Sequence, residues 1–279
     1  MDKMIIDTHS QLFTKEFMEF VKKGELKGLD TMGYALFFKG DIKDTILDME
    51  EAGVDKSVVV AIDAETTKGY KISNEIVAEA VKKYPDKLIG FASVDPHKGK
   101  LALNELEYSI KELGLKGLKL IPHLIEVFPN DKIMYPIYEK AKELKIPILF
   151  HTGTHFHLGC KIKYNKPEFI DEIAVDFPEV NFIIAHFGYP WFYSALAVVQ
   201  KNFNVYFNIA GWSPKYIPEP VIKQMDSILS NKVLFGSDHP LLSRKRILTE
   251  LKELNLKEAT KSKLFEENAK QILNLKTKS

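Results

Sequence analysis

A set of polar residues stands where hydrophobic runs of this chain end, and their types are those of acid–base and metal chemistry. Asp7, His9 and Gln11 follow Met4-Ile5-Ile6, and Lys119 ends the run Gly114-Leu115-Lys116-Gly117-Leu118. His151 closes Pro147-Ile148-Leu149-Phe150, His186 closes Phe182-Ile183-Ile184-Ala185, and Asp238 closes Val233-Leu234-Phe235-Gly236-Ser237. Buried parallel strands read as continuous apolar runs, so a polar residue at each C-terminal end calls for a reason. If the strands share one barrel, their ends meet on one face and three histidines and an aspartate converge there, the outline of a metal-centred hydrolytic site.

Each side chain admits more than one role. Strand alternation places Asp7, His9 and Gln11 on one side, the lumen and mouth of a barrel, with Ile6 and Thr8 on the other. Asp7 reads as a structural acceptor. The Gln11 amide can coordinate an ion, more weakly than imidazole, or hold the substrate or an attacking water. A neutral His151 is a normal zinc ligand. His155, four residues on, supplies an imidazole where Gln11 lacks one, or joins the substrate-holding groups; His157 reads as a solvated loop residue, and His97 and His123 as non-catalytic. His186 is a ligand, a general base or an electrostatic stabiliser. Asp238 can ligate an ion and take a proton from ion-bound water, while His239 points the other way and reads as structural. Lys119 faces inward, and a buried lysine is costly unless paired or deprotonated; the choices are a partner for a substrate carboxylate, a carbamylated bridge between two ions, or a snorkelling side chain, in that order. Arg244 and Arg246 read first as surface residues at the start of the last helix, with Arg244 alternatively reaching an anionic substrate.

The elements that must position these groups alternate regularly. Strand-like runs fall at 4–9, 56–62, 88–94, 115–121, 147–151, 181–186, 205–210 and 232–237. Between them apolar residues recur at helical spacing, as in Ile42, Ile46 and Met49 before Gly53, or Ile133, Ile137, Ala141 and Leu144 before Pro147; Gly or Pro closing each helix is the expected stop. Eight strand–helix units with parallel pairing imply a closed (β/α)8 TIM barrel, one domain spanning 1–279. Residues 11–40 form a long insertion near the catalytic face, aromatic at Phe13, Phe17, Phe20, Tyr34, Phe37 and Phe38; it serves as a lid or as packing over a barrel end, and its aromatics suit a ring-containing substrate or a homodimer contact equally. The proline-bearing stretch from Trp212 to Pro220 reads as a stiff loop that could wall the same pocket, and Lys276 to Ser279 read as frayed.

Composition narrows the function classes. The chain has 279 residues, 45% of them hydrophobic, and a net charge of +1, so neither nucleic acid nor anionic membrane is favoured as partner. Its apolar runs are strand-length, too short for a transmembrane helix. Cys160 is the single cysteine, which excludes an intramolecular disulfide and suits the reducing cytoplasm. A small molecule is the expected partner.

Taken together, the blocks Ile6-Asp7-Thr8-His9-Ser10-Gln11, Gly117-Leu118-Lys119-Leu120, His151-Thr152-Gly153, Ala185-His186-Phe187-Gly188, Gly236-Ser237-Asp238-His239-Pro240 and Glu267-Asn268-Ala269-Lys270-Gln271-Ile272-Leu273 resemble the amidohydrolase superfamily. The resemblance is to its amidohydrolase-related branch, which holds aminocarboxymuconate-semialdehyde decarboxylase and related metal-dependent enzymes. It implies one divalent ion, Zn²⁺, held by His9, His151 and Asp238, with His186 as the catalytic histidine; the second histidine of the family's first pair is Gln11 here. The leading expectation is a metal-dependent hydrolase cleaving an acyl C–N or C–O bond, with Asp238 accepting a proton, His186 stabilising the oxyanion or protonating the leaving group, and Lys119, Gln11 and His155 binding substrate. The alternatives are a non-oxidative decarboxylase of an aromatic or enoic acid at the same site, a metal-free lactonase, and last a non-catalytic binding protein.

Overall fold

The computed structural model describes residues 4–15, 19 and 40–275. Ten strands are present among them: β1 (Ile6–Gln11), β2 (Lys56–Val60), β3 (Ile62–Ala64), β4 (Tyr70–Ile72), β5 (Leu88–Ala92), β6 (Gly117–Leu120), β7 (Ile148–Phe150), β8 (Phe182–Ile184), β9 (Val205–Asn208) and β10 (Val233–Leu234). Eight of them form one parallel sheet in the order β1-β2-β5-β6-β7-β8-β9-β10. The sheet closes on itself: Thr8 N donates to Phe235 O (2.9 Å), Asp238 N to His9 O (2.8 Å) and Gln11 N to His239 O (2.7 Å). The eight expected strands are all present; seven are shorter than their runs, and β1 is as long as its run but shifted two residues towards the C-terminus. The remaining two, β3 and β4, make an antiparallel hairpin, Ile62 opposite Ile72, which the sequence pattern does not announce: Ile62 reads as the end of the second strand and Ile72 as the start of the helical spacing Ile72, Ile76, Ala80.

The principal helices are α1 (Ile42–Ala52), α2 (Asn74–Lys83), α3 (Lys100–Lys111), α4 (Tyr135–Leu144), α5 (Glu168–Asp176), α6 (Phe192–Lys201), α7 (Glu219–Met225) and α8 (Arg244–Glu253). Their apolar faces and the outward strand residues (Val59, Leu88, Leu118, Leu120, Ile148, Phe150) make the large core between sheet and helices. A second core fills the lumen with Ile6, Val58, Val60, Phe91, Leu149, Ile183 and Leu234. Phe91 occupies the space that Gly117 leaves open, since a Cβ at 117 would stand 2.5 Å from its ring. A third cluster packs Phe13, Tyr70, Ile72, Ile121 and Leu124 around the β3–β4 hairpin. Of the 11–40 insertion, Leu12 and Phe13 are buried; Phe17, Phe20, Tyr34, Phe37 and Phe38 lie outside the described residues, as does Lys276–Ser279.

Two expectations are corrected by the packing. Asp7 does not share the luminal side with His9 and Gln11: Ile6 packs in the lumen, and the pairing of β1 with β2 shifts register between Asp7 and Ser10. A bulge adds one residue and so reverses the alternation, turning Asp7 towards the helices. Nor is Arg244 a surface residue. It is fully buried, its Nε 2.8 Å from Asp7 Oδ2 and its Nη1 2.8 Å from Asp48 Oδ1 on α1. No helix among the described residues is long and apolar enough to cross a membrane.

Candidate active site

The C-terminal ends of β1, β6 and β10 bring His9, Gln11, Lys119 and Asp238 together. Leu118 and Leu120 pack outward, so Lys119 between them points into the barrel, where it is fully buried. Its Nζ donates to His9 Nε2 at 3.1 Å. Gln11 Nε2 donates to Asp238 Oδ1 at 2.8 Å and lies 3.3 Å from His9 Nε2, and His9 Nε2 is 3.6 Å from Asp238 Oδ1. Burial pulls the Lys119 amine down to about 7, against the opposing effect of Asp238. Burial first, then Lys119 and His186, hold His9 well below the ordinary imidazole range, so its lone pair is available.

The spacing of His9, Gln11 and Asp238 fits a divalent ion. Bonds of about 2.1 Å put neighbouring ligand atoms roughly 3.0–3.4 Å apart, close to the distances within the His9–Gln11–Asp238 group. Gln11 Oε1 is buried and has no hydrogen-bond partner. A half-turn of that amide would bring the unpartnered oxygen to the same point. Carboxylate and amide oxygens beside one imidazole make a harder donor set than three imidazoles, one that suits manganese or magnesium as well as zinc.

The expected trio of His9, His151 and Asp238 does not gather in this way. Among the described residues, the set of three or more His, Cys, Asp or Glu side chains whose donor atoms all lie within 4.8 Å of one another is His123, His155 and His157. His151 is held elsewhere: its Nε2 donates to Thr154 O at 3.1 Å, and its Nδ1 meets His186 Nε2 at 3.2 Å. His186 Nδ1 donates in turn to Ala210 O at 2.8 Å. With both outer N–H groups donated to carbonyls, the two rings turn lone pairs towards each other, and burial holds both imidazoles below their ordinary range.

Backbone strain marks the same residues. His186 (φ 58°), Phe187 (φ 40°) and Asp238 (φ 59°) all adopt the left-handed region, which costs a non-glycine residue about 1–2 kcal/mol. Asn208 Oδ1 accepts from His186 N (3.2 Å) and Ala210 N (3.2 Å), holding the turn. Gly211 is required by close approach, because a Cβ there would stand 2.8 Å from His186 Nδ1 and 3.1 Å from Asp238 Oδ2. Trp212 lines the adjoining wall, its ring 4.3 Å from that of Tyr189.

Asp7, turned outward, supports the site from behind. It accepts from Ser237 N (2.9 Å), Ser237 Oγ (2.6 Å), Ser57 Oγ (3.2 Å), Arg244 Nε (2.8 Å) and His9 N (3.2 Å). It thereby fixes the residues immediately before Asp238 and around His9. His239, read as structural, is buried with its Nε2 3.7 Å from Asp48 Oδ1. Sequence reasoning passed over His123 and His157. His123 is buried; its Nε2 is 2.8 Å from His157 Nδ1, and its ring stacks on His155 at 3.8 Å. The His155-Phe156-His157 spacing was the signal that could have found them.

The amidohydrolase family model matches residues 6–275. Among characterised relatives, a 2-keto-4-carboxy-3-hexenedioate hydratase of Sphingobium sp. (strain NBRC 103272 / SYK-6) is 27% identical over 198 residues, 59% of this chain and 56% of that protein. The match thus spans little more than half of the hydratase. A gamma-resorcylate decarboxylase of Rhizobium sp. (strain MTP-10005) is 20% identical over 84% of this chain and 88% of its own length. In fold, the chain is similar to a 5-carboxyvanillate decarboxylase of Novosphingobium aromaticivorans, solved with manganese and 4-hydroxy-3-methoxy-5-nitrobenzoic acid. The TM-score is 0.76 at 19% identity, covering 98% of this chain and 97% of that one.

Proposed function

Because the chain belongs to the amidohydrolase family, we propose that it is an enzyme of non-oxidative decarboxylation, acting on a small aromatic or enoic carboxylic acid at the barrel mouth. The observation that carries this reading is Lys119: an amine buried at the luminal end of β6, against His9, is expensive to keep charged, and an anionic group bound beside it would offset that cost. A substrate carboxylate is such a group. The similarity to gamma-resorcylate and 5-carboxyvanillate decarboxylases supports decarboxylation over the hydrolysis expected from the sequence.

His9, Gln11 and Asp238 would hold a divalent ion. When bound, such an ion supplies Lewis acidity, drawing electron density from substrate oxygens. The remaining work belongs to the chain itself. Lys119 anchors the carboxylate. The C–C bond to that carboxylate breaks, its electron pair stays on the ring or alkene carbon, CO₂ departs, and a proton adds to the carbon. Asp238 Oδ2, the oxygen that Gln11 does not engage, shares the Gly211 corner with His186 and would pass that proton. His186, held by His151 and by Ala210 O, would assist from the same corner.

The test is a panel of aromatic and enoic acids incubated in D₂O or H₂¹⁸O. Decarboxylation releases CO₂ and leaves one deuterium on the product carbon. Uptake of ¹⁸O without CO₂ would refute the proposal in favour of hydrolysis or hydration.

A further inference from the structure

We propose that His123, His155 and His157 form a second metal site, separate from the His9–Gln11–Asp238 group, which takes a divalent transition ion of the zinc class through three imidazoles. His123 belongs to the single helical turn Pro122–Ile125 beyond β6, whereas His155 and His157 belong to the segment that follows β7. The three come together only in the folded chain, with all their donor atoms within 4.8 Å of one another. Both ring nitrogens of His155 are shielded from solvent and have no hydrogen-bond partner, an arrangement that buried polar atoms rarely tolerate.

The surroundings are those of a built site. Asn165 presents both ends of its amide to His123 Nδ1, with Nδ2 at 3.0 Å and Oδ1 at 3.3 Å, while Nδ2 also donates to Gly153 O at 3.0 Å. His123 can therefore carry its proton on Nδ1, donated to Asn165 Oδ1, leaving Nε2 for an ion. Such partners behind a ligating histidine fix its tautomer and orientation. Three imidazoles favour zinc, cobalt, nickel or copper over magnesium or calcium, and leave a fourth position for water or a substrate oxygen. An ion here would clamp the 153–160 segment to the turn after β6, one histidine away from His151, whose ring centroid is 4.6 Å from that of His123.

The site is tested by titrating tag-free, chelator-stripped protein with Co²⁺ and following its visible absorption. Wild type and D238N should both show the bands of an imidazole-bound ion, and H155N/H157N should lose that component with affinity down at least ~100-fold. Equal spectra and affinity in wild type and H155N/H157N would overturn the proposal. So would loss of all binding in D238N, which would mean one shared centre. Should circular dichroism show the double variant unfolded, Zn²⁺ titration of wild type followed by imidazole proton resonances decides. The rings of His123, His155 and His157 are expected to shift together, and unshifted rings would count against the site.

Discussion

Lys119 separates stability from chemistry at a single position. Its Nζ sits at 3.1 Å from His9 Nε2 with no exposure to solvent, so the fold carries the desolvation of an amine that contributes no packing a methionine could not supply. Replacing buried charged groups by apolar residues of similar volume is commonly stabilising by about 1–4 kcal/mol. Lys119→Met should therefore raise the thermal midpoint while lowering kcat/KM by about 10²–10³-fold, the scale of losing one electrostatic contact to a reacting group. Calorimetry and steady-state kinetics on the same preparation check both halves. A lysine held for structural reasons alone would lose stability and leave turnover intact. Gly211 makes the complementary point, since the absence of a side chain there is what lets His186 and Asp238 share one corner.

At the scale of elements, the site is held by a contact the sequence could not announce. Arg244 begins α8 and reaches Asp7 on β1 and Asp48 on α1, joining three elements behind His9 and Asp238. Arg244→Met leaves Asp7 buried without its cation, a change that typically costs about 3–5 kcal/mol; urea unfolding should show the midpoint fall by that equivalent. Activity should fall as well, because Asp7 also fixes Ser237 and the His9 amide. The eight barrel strands and their order were legible because buried parallel strands are apolar throughout and end at Gly, Pro or a polar residue. The convergence of His9, Lys119 and Asp238 followed from that topology. Three features were not legible. The bulge in β1 leaves no mark on the apolar pattern yet reverses Asp7. The ion pair of Arg244 spans most of the chain. His151 turned towards His186 because carbonyls at Thr154 and Ala210 were there to take the outer nitrogens, and only three-dimensional packing reveals which carbonyls are within reach.

Across the whole molecule, chemistry and stability divide between the barrel mouth and the ring of helices. His9, His186, His151, His123 and His155 form an unbroken run of ring contacts at the mouth. The ion pairs that tie neighbouring helices lie outside it, among them Lys140–Glu107 between α4 and α3, and Lys201–Asp171 between α6 and α5. Asp171 is a clean probe of that ring. Burial raises its carboxyl, but hydrogen bonds from Lys201 and Asn202 and the charge of Lys201 outweigh this and hold it below the ordinary 3.8. A carboxyl whose folded pKa lies below its unfolded value contributes stability that is complete above the unfolded pKa and disappears as pH falls through the folded one. The pair is partly exposed, with side-chain exposures of 58% and 31%, so its worth is under about 1 kcal/mol. Asp171→Asn should thus lower the urea midpoint slightly at neutral pH, and the gap from wild type should close as pH falls below the ordinary carboxylate range. Catalytic rates should be unchanged throughout, because the contact lies on the helical ring and touches none of the groups at the mouth. A gap that persisted into acid would assign the stabilisation to the packing of α5 on α6 and not to the charge on Asp171.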